Sequence, residues 1–226
     1  MTNIDQIIDK LTLKEKISLL SGFNSWYTNK IEEKNVPSIK MSDGPNGVRG
    51  DSNSGKSSAC FPCAISIGST WDLVLIKNIG IALGEEAQAK DVDVLLGPTI
   101  NMHRHPLGGR HFESFSEDPF LTGKIATNYV QGVQSKKVAA CLKHFVGNDT
   151  EYERHSISSN IDEQTLREIY LLPFEMGIKD GNAKVVMSAY NKLNNIFCSS
   201  HQDLLINILK QEWNFDGYVV SDWGAA

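Results

Sequence analysis

The chain has 226 residues, 41% hydrophobic and 22% charged, and its 22 Lys and Arg against 27 Asp and Glu give a formal net charge of -5. That apolar content over that length supports one sizeable core and excludes disorder. The acidic balance, with no run of basic residues, leaves no electrostatic footprint for nucleic acid or an anionic membrane, so a small neutral ligand is the expected partner.

The N-terminal stretch MTNIDQIIDKLTLKEK mixes charges through its apolar positions. It reads as neither a secretory signal nor a spanning helix, and a cytoplasmic location follows as the expectation. Thr12-Leu13-Lys14-Glu15 forms a capping-box pattern that opens a short outer helix through Ile17, Leu19 and Leu20, with a stop at Ser21-Gly22. Ser42-Asp43-Gly44-Pro45-Asn46-Gly47-Val48-Arg49 is a turn cluster able to fix Asp43 and Arg49 in a pocket, where a carboxylate can accept hydrogen bonds from neighbouring hydroxyls. The polar segment Gly50 to Ser58 after it reads as a surface loop that borders such a pocket.

Further on, runs rich in Val, Ile and Leu alternate with stretches of helical period, which predicts repeated βα units and a parallel sheet. Strands are expected over Val92 to Gly97, Val138 to Phe145, Lys184 to Tyr190 and Tyr218 to Trp223. Helices are expected over Asp162 to Lys179, with Asp162 as N-cap, and over Gln202 to Trp213, capped by Ser200 or His201. The paired glycines Gly108-Gly109 let the chain bend so that Arg110 points inward, held by Glu113 or Glu117. Lys143-His144 stands at one strand end and Asp222-Trp223 at another, the place where a parallel α/β barrel keeps its chemistry.

Cys60, Cys63, Cys141 and Cys198 include one C-x-x-C without a second ligand pair or a preceding strand, so they read as buried or bystander thiols. His103, His105 and His111 fall in a Pro- and Gly-rich loop without metal-ligand spacing, and neither metal nor cofactor is expected.

Five ordered motifs, SDGPNGVR, GGRHFESFSEDP, CLKHFVGN followed by EYERHS, VVMSAYN and YVVSDWGA, together resemble the barrel domain of glycoside hydrolase family 3, in its β-glucosidase branch, from about Leu11 to Ala226. The resemblance implies an α/β fold, a TIM-type (β/α)8 barrel incomplete at its C-terminal end. It implies a retaining exo-acting β-glycosidase in which Asp222 is the nucleophile and no cofactor takes part. It carries the sugar-binding roles to Asp43, Arg49, Arg110, Lys143, His144, Arg154, Met187 and Tyr190, with Trp223 flooring the site. The expected substrate is a small β-glucoside or oligosaccharide.

Retention requires a second carboxyl as acid/base. In β-glucosidase-like members of the family it is a Glu on a domain that follows the barrel, so the acid/base is expected to be absent from residues 1 to 226. The N-acetylglucosaminidase branch instead uses an Asp and His after the K-H-F motif. Here that loop carries Val146, Asn148 and Asp149, and Arg154-His155-Ser156 stands where D-S-H would align. The reading is therefore a nucleophile-bearing piece that needs a C-terminal domain or second chain, with a non-catalytic sugar-binding remnant or half of a split glycosidase as alternatives.

Overall fold

Period-two alternation along a parallel sheet decides which side chains reach the site. The computed structural model describes residues 3–50 and 56–226, so residues 51–55 of the loop expected over Gly50 to Ser58 lie outside the described residues. The described strands are β1 (Met41–Asp43), β2 (Val94–Leu96), β3 (Ala139–Phe145), β4 (Ser158–Ser159), β5 (Val185–Ser188), β6 (Lys192–Leu193), β7 (Ile196–Phe197) and β8 (Tyr218–Ser221). The α-helices are α1 (Asn3–Lys10), α2 (Leu13–Ser18), α3 (Ala64–Gly68), α4 (Leu73–Ala89), α5 (Pro119–Gln134), α6 (Glu163–Thr165) and α7 (Leu172–Lys179).

Five strands form one curled sheet in the order β1-β2-β3-β5-β8, every pairing parallel. On one face Met41, Val94, Leu96, Cys141, Val185 and Met187 make an inner apolar layer, joined by Ala139, Tyr218 and Val220. The opposite face supplies Leu95, Ala140, Leu142 and Val186 to the main core, where they meet the helices. The four predicted strands form within one to two residues of their expected ends. β1 was not among them, because its apolar run is too short for a pattern and its end merges with the turn cluster. The described residues show a five-stranded parallel half-barrel with β1 and β8 as its edges, an α/β plan of the kind expected, a barrel incomplete at its C-terminal end. A groove of about 640 Å³ lies between the segment around Leu19 to Thr28 and β8.

Local signals account for most helix ends. Thr12 and Glu15 close the capping box, with the Glu15 N–H donating to Thr12 Oγ1 at 3.3 Å and the Thr12 N–H to Glu15 Oε2 at 2.7 Å. Asp162 Oδ1 accepts from the Thr165 N–H at 3.0 Å, and His201 Nδ1, rather than Ser200, takes the Leu204 N–H at 3.3 Å. The stretch expected as one helix from Asp162 is helical throughout, but Leu166–Leu171 is wound as a π-helix before α7. Pro173 has no N–H to give the carbonyl of Ile169, and a widened turn relieves the clash of its ring there. Asp203–Glu212 is likewise π-wound. Among the described residues no helix is long and apolar enough to cross a membrane.

The outer helices approach closely where α4 and α5 cross at Gly80 and Gly132. A Cβ on Gly132 would stand 2.4 Å from the Lys77 carbonyl oxygen and 2.9 Å from Gly80 Cα. From α5 the fully buried Tyr129 donates its hydroxyl to the Pro45 carbonyl at 2.8 Å, tying the helix layer to the turn after β1. At the same C-terminal end of the strands, Asp149 Oδ1 accepts the Met102 N–H at 2.9 Å and joins the loops after β2 and β3. Burial pushes the Asp149 carboxyl up to about 7, against the lowering effects of the Met102 N–H and the Arg104 charge.

Two outcomes follow from these contacts. Gly132→Ala is expected to cost about 1 to 3 kcal/mol in urea unfolding, because both atoms it meets are backbone and cannot rotate away. Asp149 has a folded pKa above its ordinary 3.8, so the native state holds the extra proton between the two values. Its contribution is full below the lower value and is lost as pH rises through about 7. Asp149→Asn keeps the acceptor for Met102 without the charge, so its urea midpoint is expected to gain on the parent between about pH 5 and pH 8.

Candidate active site

Two residues beyond the inner apolar layer, the same alternation delivers polar side chains. Met41 leads to Asp43, Cys141 to Lys143, and Val220 to Asp222, all at C-terminal strand ends. Lys143 Nζ donates to Asp43 Oδ1 at 3.2 Å, and Arg49 Nη1 stands 3.7 Å from Asp43 Oδ2. Burial would raise the Asp43 pKa, but Lys143, the Gly44 N–H and Arg49 outweigh it and hold the carboxyl below its usual range.

Lys143 and His144 are sequence neighbours, yet both join the site. The β3–β5 register shifts between Leu142 and Phe145, and this irregularity frees His144 from strict alternation. Asn101 then grips His144 on both sides. Its Oδ1 accepts from the His144 backbone N–H at 2.9 Å and lies 3.0 Å from ring Nδ1, while its Nδ2 donates to the His144 carbonyl at 2.9 Å. With the amide in that orientation, Nδ1 carries the proton and Nε2 is left as an acceptor, 3.3 Å from Arg110 Nη2. Burial first, then the charges of Lys143, Arg110 and Arg154, hold the His144 pKa well below the ordinary histidine value, so the ring stays neutral.

Arg110 enters over Gly109, whose φ of 91° belongs to the left-handed region. Its guanidinium pairs through Nε with Glu113, one of the two carboxylates expected, and stands 3.8 Å from Glu151 Oε1. Burial works against its charge, but Glu113, Glu151 and Asp222 together raise its pKa. Glu151 also accepts from Arg154 Nη1 at 2.5 Å, and Arg154 lies over the Tyr190 ring with Cζ 4.6 Å from the centroid. The Tyr190 hydroxyl donates to the Trp223 carbonyl at 2.8 Å. Burial, the Asp222 charge and the closeness of that carboxylate to the hydroxyl as a hydrogen-bonding neighbour raise the Tyr190 pKa, against the charges of Arg154 and Arg110.

Asp222 is buried, with 8% of its surface exposed. Its N–H donates to the Ser188 carbonyl at 3.0 Å, and its Oδ1 accepts from the Trp223 N–H at 2.8 Å. Oδ2 is enclosed without a hydrogen-bond donor, and His144 Nε2, an acceptor in this tautomer, is 3.5 Å away. Asp43, Glu113 and Glu151 are each engaged by a cation. Asp222 Oδ2 is thus a carboxylate oxygen fixed at a strand end, shielded from solvent and without a hydrogen-bond donor of its own.

The remaining expected site residues are placed differently from one another. Arg49 is at the rim, its side chain 72% exposed. Met187 does not stand at the rim but is buried in the inner layer beneath Asp222. Trp223 turns away from the strand ends, donating Nε1–H to the Ser25 carbonyl at 3.0 Å, with its ring centroid 5.7 Å from that of Trp26. Asn101 and Glu151 were missed as partners of His144, Arg110 and Arg154. The spacing of Glu151 three residues before Arg154 was the available signal, whereas the Asn101 to His144 pairing spans 43 positions and had none.

Among the described residues, no group of three or more His, Cys, Asp or Glu is placed to hold a metal ion. His103 Nε2 instead sits against the carbonyls of His111 and Ser114 at 2.9 and 3.0 Å, pinning their loop. Cys141 and Cys198 are buried, and burial pushes their thiols up to about 12 and about 11, while Cys60 and Cys63 are exposed.

Residues 8–226 match the model of the glycosyl hydrolase family 3 N-terminal domain. A "Beta-glucosidase" of Rhizobium radiobacter is 54% identical over 222 residues, covering 97% of this chain and 27% of the relative. A "Thermostable beta-glucosidase B" of Acetivibrio thermocellus is 48% identical, covering 99% of this chain and 31% of the relative. Among solved structures, β-glucosidase from Kluyveromyces marxianus in complex with glucose superposes with a TM-score of 0.96 at 46% identity, over 100% of this chain and 27% of that one. β-Glucosidase 3B from Thermotoga neapolitana in complex with glucose gives 0.92 at 40% identity, over 98% and 34%. The chain spans roughly a quarter to a third of the length of these relatives. With the family model covering nearly all of it and the strand-end cluster in place, the chain belongs to glycosyl hydrolase family 3, in its N-terminal domain.

Proposed function

We propose that this chain carries the nucleophile and most of the glycone-binding groups of a retaining β-glucosidase that removes terminal β-D-glucosyl residues through a glycosyl-Asp222 intermediate. The observation that carries the reading is the unpartnered Oδ2 of Asp222, buried at a strand end among Lys143, Arg110 and a neutral His144. Relatives named as β-glucosidases, two of them solved with glucose bound, support the substrate class.

Asp43, ionised and flanked by Lys143 and Arg49, offers acceptor and donor groups side by side, which suits two neighbouring sugar hydroxyls. Neutral His144 offers Nε2 as an acceptor, and Arg110 and Arg154 complete the donors. Held by these groups, the anomeric carbon can face Asp222 Oδ2, which forms the ester bond as the glycosidic bond breaks and the leaving oxygen takes a proton. The carboxylates of this cluster are unsuited to supply that proton, because Asp43 is held ionised and Glu113 and Glu151 are bound to arginines. The proton donor in this reading is a carboxyl outside the cluster, as the resemblance to members with a Glu on a following domain implies.

An activated 2-deoxy-2-fluoro-β-glucoside tests the nucleophile, because a good leaving group lowers the need for the acid. Intact mass should show one covalent sugar on the parent chain and none on Asp222→Ala. Glucose binding without any adduct would replace the reading with a sugar-binding module. In calorimetry, Lys143→Met is expected to weaken glucose by about 10- to 100-fold, the size of one or two lost charged hydrogen bonds.

A further inference from the structure

The rim residue Arg49 poses a positional problem. Its side chain is 72% exposed, so side-chain packing does not hold it, and its placement beside Asp43 has to come from the backbone. The Arg49 N–H donates to the Asp43 carbonyl at 3.0 Å. The residues on either side are tied as well: the Gly50 N–H donates to Ser42 Oγ at 2.8 Å, and the Val48 N–H donates to Glu86 Oε2 at 2.9 Å. The Val48 carbonyl in turn accepts from Lys90 Nζ at 2.5 Å.

Glu86 on α4 and Lys90, the residue that caps the C-terminus of α4, are 3.6 Å from each other, with side-chain exposures of 16% and 3%. They also hold the returning leg of the same loop. Glu86 Oε1 accepts from the Ala59 N–H at 2.6 Å, and Lys90 Nζ bonds to Ser58 Oγ, which itself donates to the Val48 carbonyl at 2.5 Å. One carboxylate thus takes an N–H from each leg, and one ammonium reaches both legs. α4 does not need this pair for its own seating, since Ile76, Ile79, Leu83 and Ala87 anchor it in the main core.

We propose that Glu86 and Lys90 are positioning residues for sugar binding, a helix-borne clamp that sets the Val48 to Gly50 backbone and so aims Arg49 at the ligand beside Asp43. The inference rests on the sugar-binding reading of the site. Glu86 and Lys90 act on the ligand only through the turn, and that makes the role separable from general stability.

The test is a double-mutant cycle read by glucose calorimetry on the folded chain, using the parent, Glu86→Gln, Arg49→Ala and the combination. Gln presents one acceptor oxygen to two N–H groups, so the turn loosens, and glucose affinity is expected to fall about fivefold to tenfold. On the Arg49→Ala background the same change should cost nothing further, a non-additivity that a merely structural role does not produce. Additive losses, or unchanged affinity in a folded Glu86→Gln, overturn the proposal. Should Glu86→Gln fail to fold, Glu86→Gln with Lys90→Met removes both buried charges together and serves in its place. Amide hydrogen exchange separates failure of the clamp from failure of the sugar reading. If the parent binds no glucose, the sugar reading falls. Faster exchange confined to Val48, Arg49 and Ala59 in the variant then upholds the clamp on the turn, and equal exchange, or acceleration spread into β3, overturns it.

Discussion

Alternation of side chains along parallel strands is the constraint from which the site follows. Each working strand sends an apolar side chain inward and then, two residues later at its C-terminal end, a polar one: Met41 then Asp43, Cys141 then Lys143, Val220 then Asp222. The inner layer is apolar, so charges are carried where the strands stop. A slip of one residue in any pairing would bury the charge against the helices and turn an apolar residue to the site.

Charge balance is the second constraint. Lys143, Arg49, Arg110 and Arg154 face Asp43, Glu113, Glu151 and Asp222 within one cluster. Burying so many charges is tolerable because nearly every one is matched, and the cations together with burial keep His144 neutral. Asp222 Oδ2, buried without a hydrogen-bond donor, stands out against this background. Even the exposed Arg49 is held from behind, through backbone contacts that reach to the outer helix.

Much of this was legible in the residues. The strands ending in Lys143-His144 and Asp222-Trp223 announce themselves by apolar runs that stop at charged or aromatic residues, and the Thr12 to Glu15 capping box and the Asp162 cap are local signals the structure repeats. β1 escaped notice because three residues cannot establish a period. The π-winding from Leu166 was hidden because it arises from a missing hydrogen bond at Pro173 rather than from any periodicity. Met187 was expected at the sugar, but its place on β5 is one register step below the strand end, inside the apolar layer.

The sequence by itself determined the family, the parallel α/β plan and the identity of the strand-end residues, since these rest on local pattern and on motifs kept in order. Tertiary structure alone decided the pairings. Asn101 with His144, Glu151 with both Arg110 and Arg154, Glu86 with both legs of the Arg49 loop, and the turning of Trp223 toward Trp26 join segments far apart in the chain. Such contacts leave no periodic trace, because what selects them is the need of each buried donor, acceptor or charge to find a partner in three dimensions.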